Sequence, residues 1–143
     1  MVRHSVPTDL IPAEQAPGIR EIYEVMKACE NETFPVPEFE PFYMDLSHRM
    51  RHGAGLASGV SRNGELAAFA LCSAITRPSA VISAVAALPR FRRQGCGSEA
   101  LSALLAQLKR ENTYIFRADG ENESFYRSAG FQVAGRWAEM HLL

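Results

Sequence analysis

The sequence predicts an α/β chain built on a mixed sheet with flanking helices, and three observations carry that expectation. Arg62-Asn63-Gly64 joins two strand-like apolar runs through an Asn-Gly dipeptide, which favours a tight hairpin and makes the two strands antiparallel neighbours. Further on, a strand-like run, a glycine-bearing turn, a helical run and the strand-like "TYIFRAD" follow in order, the pattern of a parallel crossover. The 143 residues, 47% apolar and 22% charged, supply an ordinary core and exclude a disordered chain.

The elements can be justified in chain order. Val2 to Val6 predicts a short first strand stopped by Pro7. Ile19, Ile22, Tyr23 and Met26 recur at helical spacing and predict a first amphipathic helix. Prolines at 35, 37 and 41 predict a loop, followed by a second helix from about Pro41 to near Gly53. The runs 55–61, 65–76 and 79–88 read as three strands. Leu101, Leu104, Leu105 and Leu108 share one face of the next helix, for which Ser98 is the expected N-cap. Residues 113–119 read as a strand, 122–130 as a short helix and 131–143 as a final strand. With no internal repeat or low-complexity linker, a single domain over 1–143 is expected.

Fifteen Lys and Arg against sixteen Asp and Glu give a net charge of -1, so no global basic field exists to neutralise a nucleic-acid backbone. Nucleic acid is therefore not an expected partner. Cys29, Cys72 and Cys96 are odd in number and lack CxxC spacing, which argues for reduced thiols in a cytoplasmic protein rather than a disulfide framework or a zinc site. The N-terminus lacks the apolar segment of a signal peptide, and no apolar run approaches the ~20 residues of a membrane span, so no membrane partner is expected. His48 and His52 have metal-pair spacing but no third ligand in view; solvated side chains and no metal are expected.

Local charge runs against this balance in "RFRRQGCGS", which sets Arg90, Arg92 and Arg93 beside Gly95 and Gly97. A strand that leads through a glycine turn into a helix N-terminus offers unpaired N–H groups and a favourable dipole to a phosphate. The residues alone leave three readings: a solvated bend, a dinucleotide loop, or a coenzyme A diphosphate loop. Gly95, Gly97 and Ala100 do spell GxGxxA, with Asp119 about 20 residues downstream. The dinucleotide reading conflicts with its context, because six residues, Pro89 to Gln94, separate the strand from the first glycine and an antiparallel hairpin precedes.

Arg92 to Gly97 match RxxGxG, and "VAALPRFRRQGCG" resembles the pyrophosphate loop of the GNAT superfamily of N-acetyltransferases. Downstream, "NESFYRSAGF" resembles that family's penultimate helix and turn, with Tyr126, Gly130 and Phe131 in the matching positions. The resemblance covers residues 55–142 closely and the helical N-terminal part by element order. It implies a GNAT-like acyl-CoA N-acyltransferase fold with a central mixed sheet of about six to seven strands. It also implies acetyl-CoA as donor and direct transfer of its acetyl group to a primary amine of a small molecule or peptide. A non-catalytic acyl-CoA-binding or regulatory module on the same scaffold is the alternative from a different class.

By the same resemblance Val85, Ala86 and Ala87 contact the pantetheine and acetyl group, while Arg92, Arg93, Gln94, Gly95, Cys96, Gly97 and Ser98 cradle the pyrophosphate. A backbone N–H near Ala87 is the expected oxyanion donor. Tyr126 matches the general-acid position; a tyrosine of pKa near ~10 is protonated at neutral pH and can reprotonate a leaving thiolate. Phe125, its neighbour, points to another helix face and is expected in the core. Asn122 is either a pantetheine contact or a helix N-cap, because the family's Asn falls where this chain has Asp119. No carboxylate occurs between Ser79 and Leu88, which leaves Ser83 or a water-linked group as base. Cys96 is read as a bystander.

The acceptor is expected opposite the cofactor, among Glu30, Glu32, Glu38, Glu40 and Asp45 and the aromatic Phe34, Phe39, Phe42 and Tyr43. That mix suits a cationic amine with an apolar part; an acidic solvent face over core aromatics is the plainer account. Met140, Leu142 and Leu143 either add the last strand to a partner's sheet edge in a homodimer or are buried within the monomer.

Overall fold

A computed structural model describes residues 2–4, 17–32, 34–110, 112–115 and 123–132. Its framework is the predicted hairpin of β2 (Leu56–Arg62) and β3 (Glu65–Ile75). Asn63 and Gly64 sit at φ 53 and 81, the pair of left-handed residues that a two-residue turn requires, and Arg62 pairs with Glu65 across it. Against β3 runs the antiparallel β4 (Ser79–Ala87), and against β4 the parallel β5 (Asn112–Ile115). The antiparallel β1 (Val2–His4) closes the order β1-β5-β4-β3-β2. On its other edge Val2 exchanges both backbone hydrogen bonds with Gln132, each 2.8 Å.

The described residues thus carry five strands of the six to seven expected. The body of the last one, 133–143 with Met140, His141, Leu142 and Leu143, lies outside the described residues, as do Asp119 and Asn122.

Helices cover both faces. On one, α3 (Cys96–Leu108) packs Ala100, Leu101, Leu104 and Leu108 onto Val60, Ala68, Ala70, Cys72, Ala80 and Ile82. On the other, α1 (Ile19–Ala28) and α2 (Phe39–Arg51) bring Ile22, Val25, Met26 and Leu46 against Ala57, Leu66, Phe69, Leu71 and Ala84. Leu101 and Leu104 are fully buried, so truncating either to alanine is expected to cost about 2–5 kcal/mol. Pro17 crosses β2 at Gly59, where an added Cβ would stand 2.7 Å from Leu66 Cδ1 and 3.1 Å from Pro17 Cγ.

Two helix starts differ from the sequence expectation. α2 begins at Phe39, two residues before Pro41, because a proline in the first turn lacks only an N–H that has no intrahelical partner. α3 begins at Cys96 with Gly95 as N-cap, and Ser98 lies inside the first turn. Gly95 has φ 76, a left-handed conformation open to glycine, and no side chain caps the helix.

Two bulges interrupt the β3–β4 ladder. Leu71 faces Ala84 and Cys72 faces Ile82, so Ser83 is an extra residue on β4; Ala74 then faces Val81, which makes Ser73 an extra residue on β3. The second restores the register that the first displaces. Arg49 Nη1 donates to the Ser73 carbonyl at 2.7 Å, and Ser83 Oγ donates to the Leu71 carbonyl at 3.2 Å.

Candidate active site

The pairing of β4 with β5 runs from Ser79 opposite Asn112 to Ile82 opposite Ile115, and beyond Ile82 no described residue pairs with that edge. Leu88 N–H bonds to the Ala67 carbonyl at 2.8 Å on the other side. In an antiparallel ladder bonded residues alternate, so Val85 and Ala87 turn their N–H and C=O groups to the open edge. The bulge at Ser83 also reverses the side chains: Ala80 and Ile82 face α3, Ala84 and Ala86 face α1, and Val85 and Ala87 face α3.

From that edge the chain enters a single 3-10 turn, Pro89–Phe91, whose Phe91 is buried. Arg92 is extended, Arg93 is left-handed at φ 64 and Gly95 at φ 76. Left-handed residues spaced along a turn curve successive N–H groups into a concave row suited to an anion. The first intrahelical bond of α3 is Glu99 N–H to the Gly95 carbonyl at 2.9 Å, so the N–H groups of Cys96, Gly97 and Ser98 precede it.

Edge, turn and helix start enclose a cavity of about 360 Å³. Val85, Ala86 and Ala87 line it along the strand, and Arg92, Arg93, Gly95, Cys96, Gly97 and Ser98 at the turn. Phe91, Phe125 and Tyr126 supply an aromatic lining. Of the residues read from the sequence, Gln94 does not line it: its exposed amide donates to the Arg90 carbonyl at 3.4 Å. Asn122 lies outside the described residues. Arg90 pairs with the Glu65 carboxylate and rests 5.3 Å from the centre of the Phe91 ring. Cys96 is buried in the α3 core.

Tyr126 comes from α4 (Glu123–Ser128) and packs edge-on against Phe125 at 5.0 Å and Phe131 at 5.7 Å. Gly130, at φ 98, turns the chain so that Phe131 N–H bonds the Tyr126 carbonyl at 2.9 Å. Phe125 and Tyr126 both reach the cavity, and Tyr126 is the more buried at 7% exposure. Adjacency on a helix therefore separated core from site less sharply than expected, because the cavity is itself walled by the core.

Sequence reasoning missed two residues here. Phe91 is the apolar residue immediately before RxxGxG, a signal that was available. Cys29, the C-cap of α1, donates its thiol to the Ala87 carbonyl at 3.2 Å and lies 3.6 Å from Arg92 Nη2. No sequence signal links residues so far apart in the chain.

On the α1–α2 side the acidic residues divide by their partners. Glu30 accepts from Lys27 at 3.0 Å and from Val36 N–H at 3.1 Å, and these bonds hold its carboxyl below the usual carboxylate range. Asp45 pairs with Arg49. Glu38 and Glu40 line an open groove of about 520 Å³ with Phe39, Pro41 and Met44. Phe39 touches Tyr23 and Tyr43, and the Arg20 guanidinium sits 4.6 Å from its ring centre. Ser83, the residue nearest to a base on β4, has its hydroxyl engaged by the Leu71 carbonyl.

Among the described residues no group of three or more His, Cys, Asp or Glu is placed to hold a metal, and His48 and His52 stack at 4.2 Å. No described helix is long and apolar enough to cross a membrane.

The cavity fits a coenzyme A thioester. Its turn offers unpaired N–H groups, two arginines and a helix start without side-chain caps to a diphosphate, and its open edge offers the backbone of Val85 and Ala87 to an amide-bearing arm. A mixed sheet opened in this way above such a turn defines the class of acyl-CoA-dependent acyltransferases. A sequence profile described as the Acetyltransferase (GNAT) family matches residues 19–131, and the chain belongs to that family. It is an acetyltransferase.

Solved structures show the same fold. The chain is similar to glucosamine-6-phosphate N-acetyltransferase from Arabidopsis thaliana, at 15% identity and a TM-score of 0.70, covering 89% of this chain and 95% of that one. It is similar to AAC(6')-Iy, solved with the bisubstrate analog CoA-S-monomethyl-acetylneamine, at 12% identity and a TM-score of 0.70 over 87% and 91% of the two chains. The ribosomal-protein-S18-alanine N-acetyltransferase from Escherichia coli follows at 22% identity and a TM-score of 0.63, over 94% and 79%. A comparison with curated protein sequences returned no match.

Proposed function

We propose that the chain, as one N-acetyltransferase domain over 1–143, transfers an acetyl group from acetyl-CoA directly to a primary amine of a small molecule or peptide in the cytoplasm. The observation that carries this reading is the open edge of β4 running into the turn and helix start that the cavity joins. Acetyl-CoA, when bound, supplies the activated acyl group. The chain's residues bind, orient and move protons.

The N–H groups of Cys96, Gly97 and Ser98, with Arg92 and Arg93, hold the diphosphate. Val85 and Ala87 pair with the pantetheine arm as a neighbouring strand would, and an N–H of this pair donates to the thioester oxygen as negative charge grows there. Tyr126 donates its phenolic proton to the departing thiolate; between unperturbed groups of pKa about 10 and about 8.5 this transfer is uphill by only about 2 kcal/mol, and packing between Phe125 and Phe131 holds the ring in place for it. The acceptor enters from the α1–α2 side, where Glu38 and Glu40 beside Phe39 favour an amine with a cationic and an apolar part.

Calorimetric titration is expected to detect acetyl-CoA and CoA but not NAD. A preference for NAD would overturn the assignment. A panel of amines, amino acids, polyamines and peptides, with thiol release as readout, identifies the acceptor class.

A further inference from the structure

We infer that Cys29 is a positioning residue that fixes Arg92 and the last carbonyl of the open edge before coenzyme A binds. The inference rests on reading the cavity as the acetyl-CoA site. Cys29 ends α1, yet its sulfur reaches across to β4 and to the turn after it.

Two contacts define the role. The thiol donates to the Ala87 carbonyl at 3.2 Å, which satisfies that acceptor and leaves the Ala87 N–H and the Val85 groups as the part of the edge that no described residue pairs. The same sulfur lies 3.6 Å from Arg92 Nη2. Among the described residues it is the polar neighbour recorded for that exposed guanidinium. An arginine on the surface loses side-chain freedom when it binds a phosphate, so a contact that orients it beforehand lowers the cost of binding.

A cysteine can act as weak donor and soft acceptor at one time. A serine can make the same two kinds of contact, and an alanine neither. The effect of Cys29 on the cofactor is therefore exerted through Arg92 and is restored by serine. Helix packing alone would show neither property.

The test is a double-mutant cycle read by calorimetry with CoA: wild type, Cys29→Ala, Arg92→Ala, the double variant, and Cys29→Ser. Thermal unfolding of each variant is followed in parallel. Cys29→Ala is expected to raise the CoA dissociation constant about fivefold, Cys29→Ser to keep it within about twofold of wild type, and Cys29→Ala to change it less than about twofold once Arg92 is alanine. An equal fivefold rise in both arginine backgrounds, an unchanged constant in Cys29→Ala, or failure of serine to rescue overturns the role. If Cys29→Ala does not fold, Cys29→Val, which keeps the volume but neither polar contact, replaces it under the same criteria. A wild-type chain that binds no CoA overturns the cofactor reading itself, whereas binding with additive variants overturns only Cys29.

Discussion

Gly97→Ala is expected to stabilise the chain while weakening its hold on coenzyme A. Position 97 has an ordinary helical backbone in the first turn of α3, and a Cβ there would meet only the Phe125 ring edge, at 3.7 Å. That is van der Waals contact without overlap, so no overpacking cost arises. Exchanging glycine for alanine in a helix interior is worth about 0.5–1 kcal/mol, and the first turn realises about half of it. The melting temperature of a chain this size then rises by about 1–2 °C. The same Cβ projects into the lining of the cavity, where the proposed diphosphate sits against N–H groups at roughly 2.9 Å. Loss of one charge-assisted hydrogen bond costs about 1.5–3 kcal/mol, which raises the CoA dissociation constant roughly tenfold to a hundredfold. Differential scanning calorimetry and titration of one preparation measure both signs. An unchanged dissociation constant would refute the assignment of Gly97 to the ligand, and a melting temperature lowered by several degrees would refute the contact without overlap at Phe125.

Other substitutions separate the remaining roles. Gly95→Ala meets nothing within 4 Å but must hold φ 76, so urea unfolding should show a loss of about 1–2 kcal/mol without overpacking. Tyr126→Phe keeps the ring between Phe125 and Phe131 and removes the proton; once an acceptor is found, kcat should fall about a hundredfold with little change in the KM for acetyl-CoA. Gly59→Ala forces a Cβ against Leu66 and Pro17, and urea titration should register a loss of about 1–3 kcal/mol. Burial raises the pKa of the Cys72 thiol above its ordinary value, so the folded chain binds the proton more tightly than the unfolded one. The stability linked to that proton is complete below the ordinary thiol value and is lost as pH rises through the raised one; urea midpoints across the alkaline range should decline more steeply for wild type than for Cys72→Ala.

The strands and the hairpin were legible because each rests on local signals: apolar runs and the Asn63-Gly64 pair, whose left-handed angles the turn requires. The RxxGxG turn and the tyrosine helix were legible for the same reason, and they fall together on one cavity. The cap of α3 was misplaced by three residues because Ser98 is a good cap by type, whereas Gly95 enters the helix through a conformation that sequence does not display. Pro41 misled in the same sense, since a proline marks the first turn of a helix and not its first residue. Cys29 could not be found at all: its contacts to Ala87 and Arg92 exist only after α1 has packed on the sheet.

Ser83 has a consequence beyond its own hydrogen bond. One inserted residue changes the parity of everything after it, so the same alternating alphabet of alanine and valine is handed to the opposite layers of the molecule. Before the serine β4 is an interior strand, committed on both edges; after it, among the described residues, β3 is its single strand neighbour. A cleft can therefore be lined from both layers along one strand without a new strand, a new loop or a polar core residue. Removing Ser83 would not delete a side chain from the site so much as hand Val85 and Ala87 to the wrong side of the protein.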